Sequence, residues 1–191
     1  MIRATDCPLS MIENRTRIAR LRLTSGKTAV HSDMLEWRAD ETPESAARCI
    51  INSLFGVVQY SVRLKTLSES HRRMLAHWIR FSQDHRQALL HGKFRPHFPA
   101  SDYPLLEGES EEERVFCVYQ PNLTVDVGKH DRPVIVVNGA FMDSVILDLP
   151  SGPSNAEAFD TFGDKVPLQA LKAGLNRVRL PPSGYLRTVW Q

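Results

Sequence analysis

Cysteine is scarce in this chain and none of it is closely spaced. Cys7, Cys49 and Cys117 are odd in number, far apart and form no C-x-x-C pair, which argues against a disulfide framework and against a zinc knuckle. The compartment this implies is reducing, hence cytoplasmic. The N-terminus lacks the cationic, apolar and small-residue succession of a secretory leader. No apolar run approaches the roughly 20 residues needed to cross a bilayer, so no membrane partner is expected. Charge of one sign is also lacking. The 24 Lys and Arg against 22 Asp and Glu produce no field that would draw in nucleic acid.

The spacings that announce common chemistries are missing as well. There is no G-x-G-x-x-G, no Gly-Lys-Ser/Thr phosphate loop, no H-E-x-x-H and no G-x-S-x-G, which sets aside nucleotide, zinc-protease and serine-hydrolase readings. His71, His77, His85 and His91 differ by 6, 8 and 6 positions, so neighbours miss the i,i+4 geometry of a two-histidine metal site. They read as solvated or structural histidines, and neither metal nor cofactor is expected.

What is present is an ordinary globular composition, 42% hydrophobic and 24% charged over 191 residues, divided into two unlike halves. From Ser10 to about His91 the apolar period is helical. Ser10 caps a helix to about Leu21, stopped by Ser25-Gly26; Thr28 to His31 reads as a short strand end. Thr42-Pro43 opens a second helix through Ile50, Ile51, Leu54 and Phe55 to Gly56, and Tyr60 to Leu64 is a short extended segment. Ser68 opens the clearest helix, with Met74, Leu75, Trp78, Ile79, Leu89 and Leu90 as its buried stripe and Gly92 as its stop.

Residues 94–112 are rich in Pro and turn formers and read as a linker. Beyond them come short apolar runs, Val115 to Tyr119, Leu123 to Val127, Val134 to Val137, Val145 to Leu149 and Asn176 to Leu180, separated by turn signals. That spacing predicts a small antiparallel β-sandwich over 113–191, with Asn138-Gly139 as a hairpin signal. The fold class expected is therefore α/β plus all-β.

Candidate chemistry gathers near the start. Asp6 follows Ile2-Arg3-Ala4-Thr5 and precedes Cys7-Pro8, so the chain is extended there and cannot simply continue as a helix. A carboxyl held at a strand end and partly desolvated can act as a proton donor. On pattern alone Asp6 reads first as a turn or cap residue. His31-Ser32-Asp33 could hydrogen-bond sugar hydroxyls or cap the next turn. The three cannot form a nucleophile, base and orienter set, because adjacent strand residues face opposite ways.

These residues carry a resemblance. Arg3-Ala4-Thr5-Asp6-Cys7-Pro8, Asn14-Arg15, Ala29-Val30-His31-Ser32-Asp33-Met34, Asn52-Ser53-Leu54-Phe55-Gly56, the helix with His71, Trp78 and Phe81, and Tyr103-Pro104 resemble the late part of the catalytic domain of α-galactosidase-type glycoside hydrolases (glycoside hydrolase family 36). Val137-Asn138-Gly139 and Pro181 to Gly184 resemble, more weakly, that family's C-terminal domain. The resemblance implies the last strands and helices of a (β/α)8 barrel over 1–93, then the β domain. It implies a retaining mechanism with two carboxylates about 5–5.5 Å apart, and a general acid/base role for Asp6. It places His31, Asp33 and Cys7 around the substrate, an α-galactoside or related oligosaccharide. Cys7, Pro8, Leu9 and Ser10 stand where many members carry Asn or Asp, Thr and a second Asp, which leaves sugar and linkage open. The nucleophilic carboxylate is expected on an earlier strand outside this chain. Partners expected are therefore a missing N-terminal barrel portion or a homo-oligomer, with little hydrolysis by the chain alone.

Two other readings fit the same residues. One is a non-catalytic carbohydrate-binding or accessory protein using Tyr103, Tyr119, Tyr185 or Trp190 as a sugar platform. The other is a helix-rich oligomer subunit, because the apolar helix faces need cover.

Overall fold

The computed structural model describes residues 1–4, 10–38, 40–128 and 131–190, with the Asp33 side chain outside that description. Strand β1 (Ile2–Arg3), helix α1 (Met11–Thr24), strand β2 (Val30–Leu35), helix α2 (Pro43–Ile51), strand β3 (Val57–Tyr60) and helix α3 (Glu69–Asp84) follow one another. The strands pair in sequence order β1-β2-β3, and both pairings are parallel.

Each helix starts where its cap residue dictates. The hydroxyls of Ser10, Thr42 and Ser68 accept the backbone N–H of Glu13, Ser45 and His71, each at 3.2 Å. Pro43 costs nothing at the first helical position, where its missing N–H has no partner in any case. Helix α1 runs to Thr24, past the expected last residue near Leu21, and ends at the expected Ser25-Gly26 stop, where Gly26 turns the chain with φ +58°. Strand β2 runs on to Leu35, past the strand end expected at His31, and β3 lies ahead of the extended segment expected from Tyr60 to Leu64, sharing only Tyr60 with it.

Helix α3 stops short of the single helix expected to His91. The chain breaks at His85 and resumes as a π-helical turn, Gln87–His91, that buries Ala88 and Leu89. A wide turn frees carbonyls, and here the Arg22 guanidinium takes those of Leu89 and Leu90 as well as that of Phe55. Burial lowers the pKa of Arg22 to about 10.

The rest of the described chain is β. A seven-stranded sheet contains β4 (Lys93–His97), β5 (Leu105–Glu109), β6 (Arg114–Val118), β8 (Val134–Asn138), β10 (Asn155–Phe159), β11 (Lys165–Val166) and β13 (Tyr185–Val189), ordered β11-β10-β13-β8-β6-β5-β4. A second sheet of β7 (Thr124–Asp126), β9 (Ser144–Leu149) and β12 (Gly174–Arg179) is ordered β12-β9-β7.

The larger sheet is buried on both faces, which explains its continuous apolar runs. Val115, Cys117, Ile135 and Val137 pack with Ile50, Ile51, Trp78 and the other helix residues in one core. Their neighbours Phe116, Val118, Val134 and Val136 pack with Val125, Val145, Leu147 and Val178 of the smaller sheet in another. A period of two thus splits each run between two cores. Each such side chain contributes about 1.5–3 kcal/mol by leaving water.

Three sequence expectations are corrected. Residues 94–112 are no linker, since they supply most of β4 and all of β5. Pro96 misled because proline suits an edge strand, and β4 is the edge of its sheet. Gly108 permits close approach there: a Cβ on it would lie 2.3 Å from the Ala88 carbonyl oxygen. The β half is also not purely antiparallel, because β6 with β8 and β7 with β9 pair in parallel. Finally, Asn138-Gly139 makes no hairpin. Strand β8 pairs with β6 and β13, while the following β9 belongs to the other sheet. Buried Asn138 instead donates to the carbonyls of Met142, Leu180 and Pro181, tying the crossover to the return segment.

Among the described residues, no helix is long and apolar enough to cross a membrane.

Candidate functional site

Asp6 and Cys7 follow the end of β1 in sequence, whereas His31 and Asp33 lie within β2, His31 near its start and not at the strand end expected for it, because β2 runs on to Leu35. Ala4 continues β1 by donating its N–H to the His31 carbonyl at 2.9 Å. Asp6 and Cys7, next in sequence, lie outside the described residues. Asp33 lies within β2, with its side chain outside the description. His31 is therefore the one predicted site residue whose side chain is placed, and the geometry linking it to the other three is not described.

Strand β2 orients His31 through a bulge. His31 opposes Val57, but Met34 opposes Gln59, so two residues of β2 face one of β3. Ser32, fully buried inside the bulge, repairs the ladder by accepting the Gln59 N–H at 3.0 Å. Ser32 is thus structural. Val30 and Leu35 point into the helix-covered core. His31, Met34, Val57 and Gln59 therefore share the opposite face with Arg3, where all five are half-buried or exposed. Parallel sheets are ordinarily covered on both faces. Here the side chains of one face are half-buried or exposed, and β1 and β3 are each paired on one side only among the described residues. The His31 Nδ1 is enclosed and has no hydrogen-bond partner among them.

A cavity of about 330 Å³ opens beyond the ends of β2 and β3. Glu36 and Trp37 from the segment after β2, Ser61 and Arg63 from the segment after β3, and Ser68 and His71 from the start of α3 border it. By spacing alone His71 belongs with the other histidines that miss metal-site geometry. The structure instead buries it beside Ser68, with Nδ1 2.8 Å from the serine hydroxyl. The available signal was the capping serine three residues earlier. Among the described residues, no three His, Cys, Asp or Glu side chains gather as a metal set would require.

Asn14-Arg15 and Asn52-Ser53, separated by one strand and one helix in sequence, meet in the fold. Arg15 donates to Asn52 Oδ1 at 2.9 Å and to the Asp102 carbonyl at 3.0 Å, and its guanidinium stacks 4.3 Å from the Tyr119 ring centre. Asn14 donates to Ser53 Oγ at 3.0 Å. Burial lowers the Arg15 pKa, against the pull of Tyr119 and Asp102. This cluster ties α1, α2 and the β sheets together and is a positioning element.

The proposed sugar platforms are occupied internally. Tyr103 is buried, Tyr119 donates its hydroxyl to the Ile51 carbonyl, and Tyr185 stacks between Phe159 and His77. Trp190 is partly buried against the second core and donates to the Ser151 carbonyl at 3.2 Å.

No protein-family model matches the chain, and no curated protein matches it.

Proposed function

We propose that the chain supplies the acid/base part of a retaining glycosidase site of the α-galactosidase type. The supporting observation is the run of three parallel strands in sequence order, each followed by a helix, with the carboxylate-bearing segment leaving the first at the edge where such barrels do their chemistry. In this reading, β1 to α3 are the last β/α units of a (β/α)8 barrel, and the two β sheets sharing a core are its sandwich domain. The half-buried face of β1-β2-β3 is then barrel interior.

Asp6 protonates the departing glycosidic oxygen, then takes a proton from the water that releases the sugar. His31, Asp33 and Cys7 border the galactoside. A second carboxylate, about 5–5.5 Å from the first, attacks the anomeric carbon, and this chain is not assigned that residue. Cover for the half-buried face of β1-β2-β3 comes from an N-terminal barrel portion or a second copy. The free thiols Cys49 and Cys117 favour a reducing, cytoplasmic setting.

The test is titration of the isotopically labelled chain with an aryl α-galactoside, followed by NMR and by release of the aryl group. The expected result is saturable binding that shifts the His31 ring signals and is lost in His31→Ala. Release should not exceed that of Asp6→Asn. Shifts confined to 113–190, or none with any α-galactoside, would overturn the proposal. Turnover abolished by Asp6→Asn would overturn the assignment of the nucleophile to another chain.

A further inference from the structure

A second cavity, of about 590 Å³, lies where β2 and β3 begin, at the opposite end of the parallel strands from the point where β1 stops. The end of α1, the turn that follows it, the start of β3 and the π-helical turn with Phe94 beyond it build the wall. The volume falls within the range of small-molecule sites, about 300–1,000 Å³.

Arg22 stands in this wall with no ionic partner. Its Nη1 donates to the carbonyls of Phe55 and Leu89, and its Nη2 to that of Leu90. Those bonds use both hydrogens of Nη1 and one of Nη2. Two N–H groups remain, one on Nε and one on Nη2, and such a fork suits two oxygens of a single anion. The Nε atom takes no partner among the described residues and is not enclosed by them. The guanidinium lies over Phe94, its carbon 4.3 Å from the ring centre, so the ring fixes its plane. Burial acts on its charge without a neighbouring carboxylate to oppose it.

The rest of the lining points the same way. Among the described residues no Asp or Glu borders the cavity, whereas Lys27 stands exposed on its rim. Helix α1 ends here, and the negative end of its dipole opposes an anion with about half a unit charge. The two full charges of Arg22 and Lys27 outweigh it. Ser25 and Thr28 bring hydroxyls to the wall, and Leu23, Leu90 and Phe94 bring apolar surface.

We infer that this cavity binds a phosphate monoester of a small organic molecule, with two phosphate oxygens accepting from Arg22 Nε and Nη2, a third facing Lys27, and the organic part against Leu90 and Phe94. A dianion matches two cations that have no carboxylate between them. A carboxylate carries one charge and two oxygens, and the Arg22 fork exhausts both. The inference stands apart from the glycosidase reading, since none of these residues is assigned a part in that chemistry.

The experiment follows the Arg22 Nε–H signal of the full chain, assigned through its bonded carbons, during titration at neutral pH with phenyl phosphate, inorganic phosphate, benzoate and chloride. Phenyl phosphate should move the signal saturably, inorganic phosphate more weakly, and chloride not at all. Lys27→Gln, an exposed change that touches none of the Arg22 bonds, should weaken phenyl phosphate about fivefold. Leu23 is 56% exposed on the rim, and Leu23→Glu should weaken it at least as much by adding a negative charge there. The rest of each spectrum reports that the variant is folded. An unmoved Arg22 signal with phenyl phosphate, benzoate or inorganic phosphate bound as tightly as the ester, or unchanged affinity in either variant would overturn the inference.

Discussion

Replacing Glu107 by glutamine tests the electrostatics that hold the β half together. Glu107 sits on β5 with its side chain 4% exposed, and two arginines and a histidine surround it. Arg95 Nη1 lies 2.8 Å from Oε1, Arg114 Nη2 lies 2.9 Å from the same oxygen, and His97 Nε2 lies 3.1 Å from Oε2. Burial by itself would raise the carboxyl pKa. Hydrogen bonds from His97 and Arg114, with the charges of Arg114 and Arg95, reverse this and hold it at about 2, below the ordinary 4.5. At 1.36 kcal/mol for each tenfold change in proton affinity, that difference contributes about 3 kcal/mol to stability. Because the folded pKa is the lower one, the contribution is complete above the unfolded value of 4.5 and is lost as pH falls from there toward 2. Glutamine keeps the shape but leaves Arg114 and Arg95 facing an uncharged group. Urea unfolding at neutral pH should show Glu107→Gln less stable by about 3 kcal/mol with an unchanged slope. The gap should hold down to the ordinary glutamate range and shrink below it, as the wild-type carboxyl also gains its proton. A variant within about 0.5 kcal/mol of wild type at neutral pH, or a gap indifferent to acid, would refute this account.

Arg15→Lys removes the fork that reaches Asn52 and Asp102 at once, and lysine can replace only one of those bonds. The expected loss is about 2 kcal/mol, seen as a thermal midpoint lower by about 4–8 °C, with far-ultraviolet circular dichroism unchanged. Burial pushes the Cys117 thiol up to about 12 and, with the nearby Glu41 charge, the Cys49 thiol up to about 11. In a Cys7→Ser chain, an aromatic disulfide reagent should therefore label both slowly while folded and at once in denaturant. Rapid labelling of Cys117 in the folded chain would contradict its placement beneath the helices.

Much of the helical half was legible in residue order. Ser10, Thr42 and Ser68 each announce a helix, because a short hydroxyl side chain satisfies a first-turn N–H within three residues of itself. The failures occurred where the deciding partner is distant. His85 ends α3 beside Glu113, 28 positions away. Pro96 reads as a breaker until β4 proves to be an edge strand. Asn138-Gly139 has the composition of a hairpin, yet the Asn138 side chain is claimed by carbonyls 42 and 43 positions away. The candidate site divides in the same way. His31 was expected at a strand end, but β2 runs on to Leu35 and holds it within the sheet. The cavity of Trp37, Arg63 and His71 joins three separate segments, and no spacing within any one of them marks it.

Local order alone thus determined where the helices begin, which strands are apolar throughout, and that the chain changes character from helical to β. These follow from periodicity and capping, whose physics acts over a few residues. Tertiary structure alone decided which sheet each strand joins, that two sheets share one core, and that one face of the parallel strands is only half-buried. Hydrogen bonds between strands are blind to sequence distance, and burial depends on what packs opposite, so neither can be read from the residues that take part.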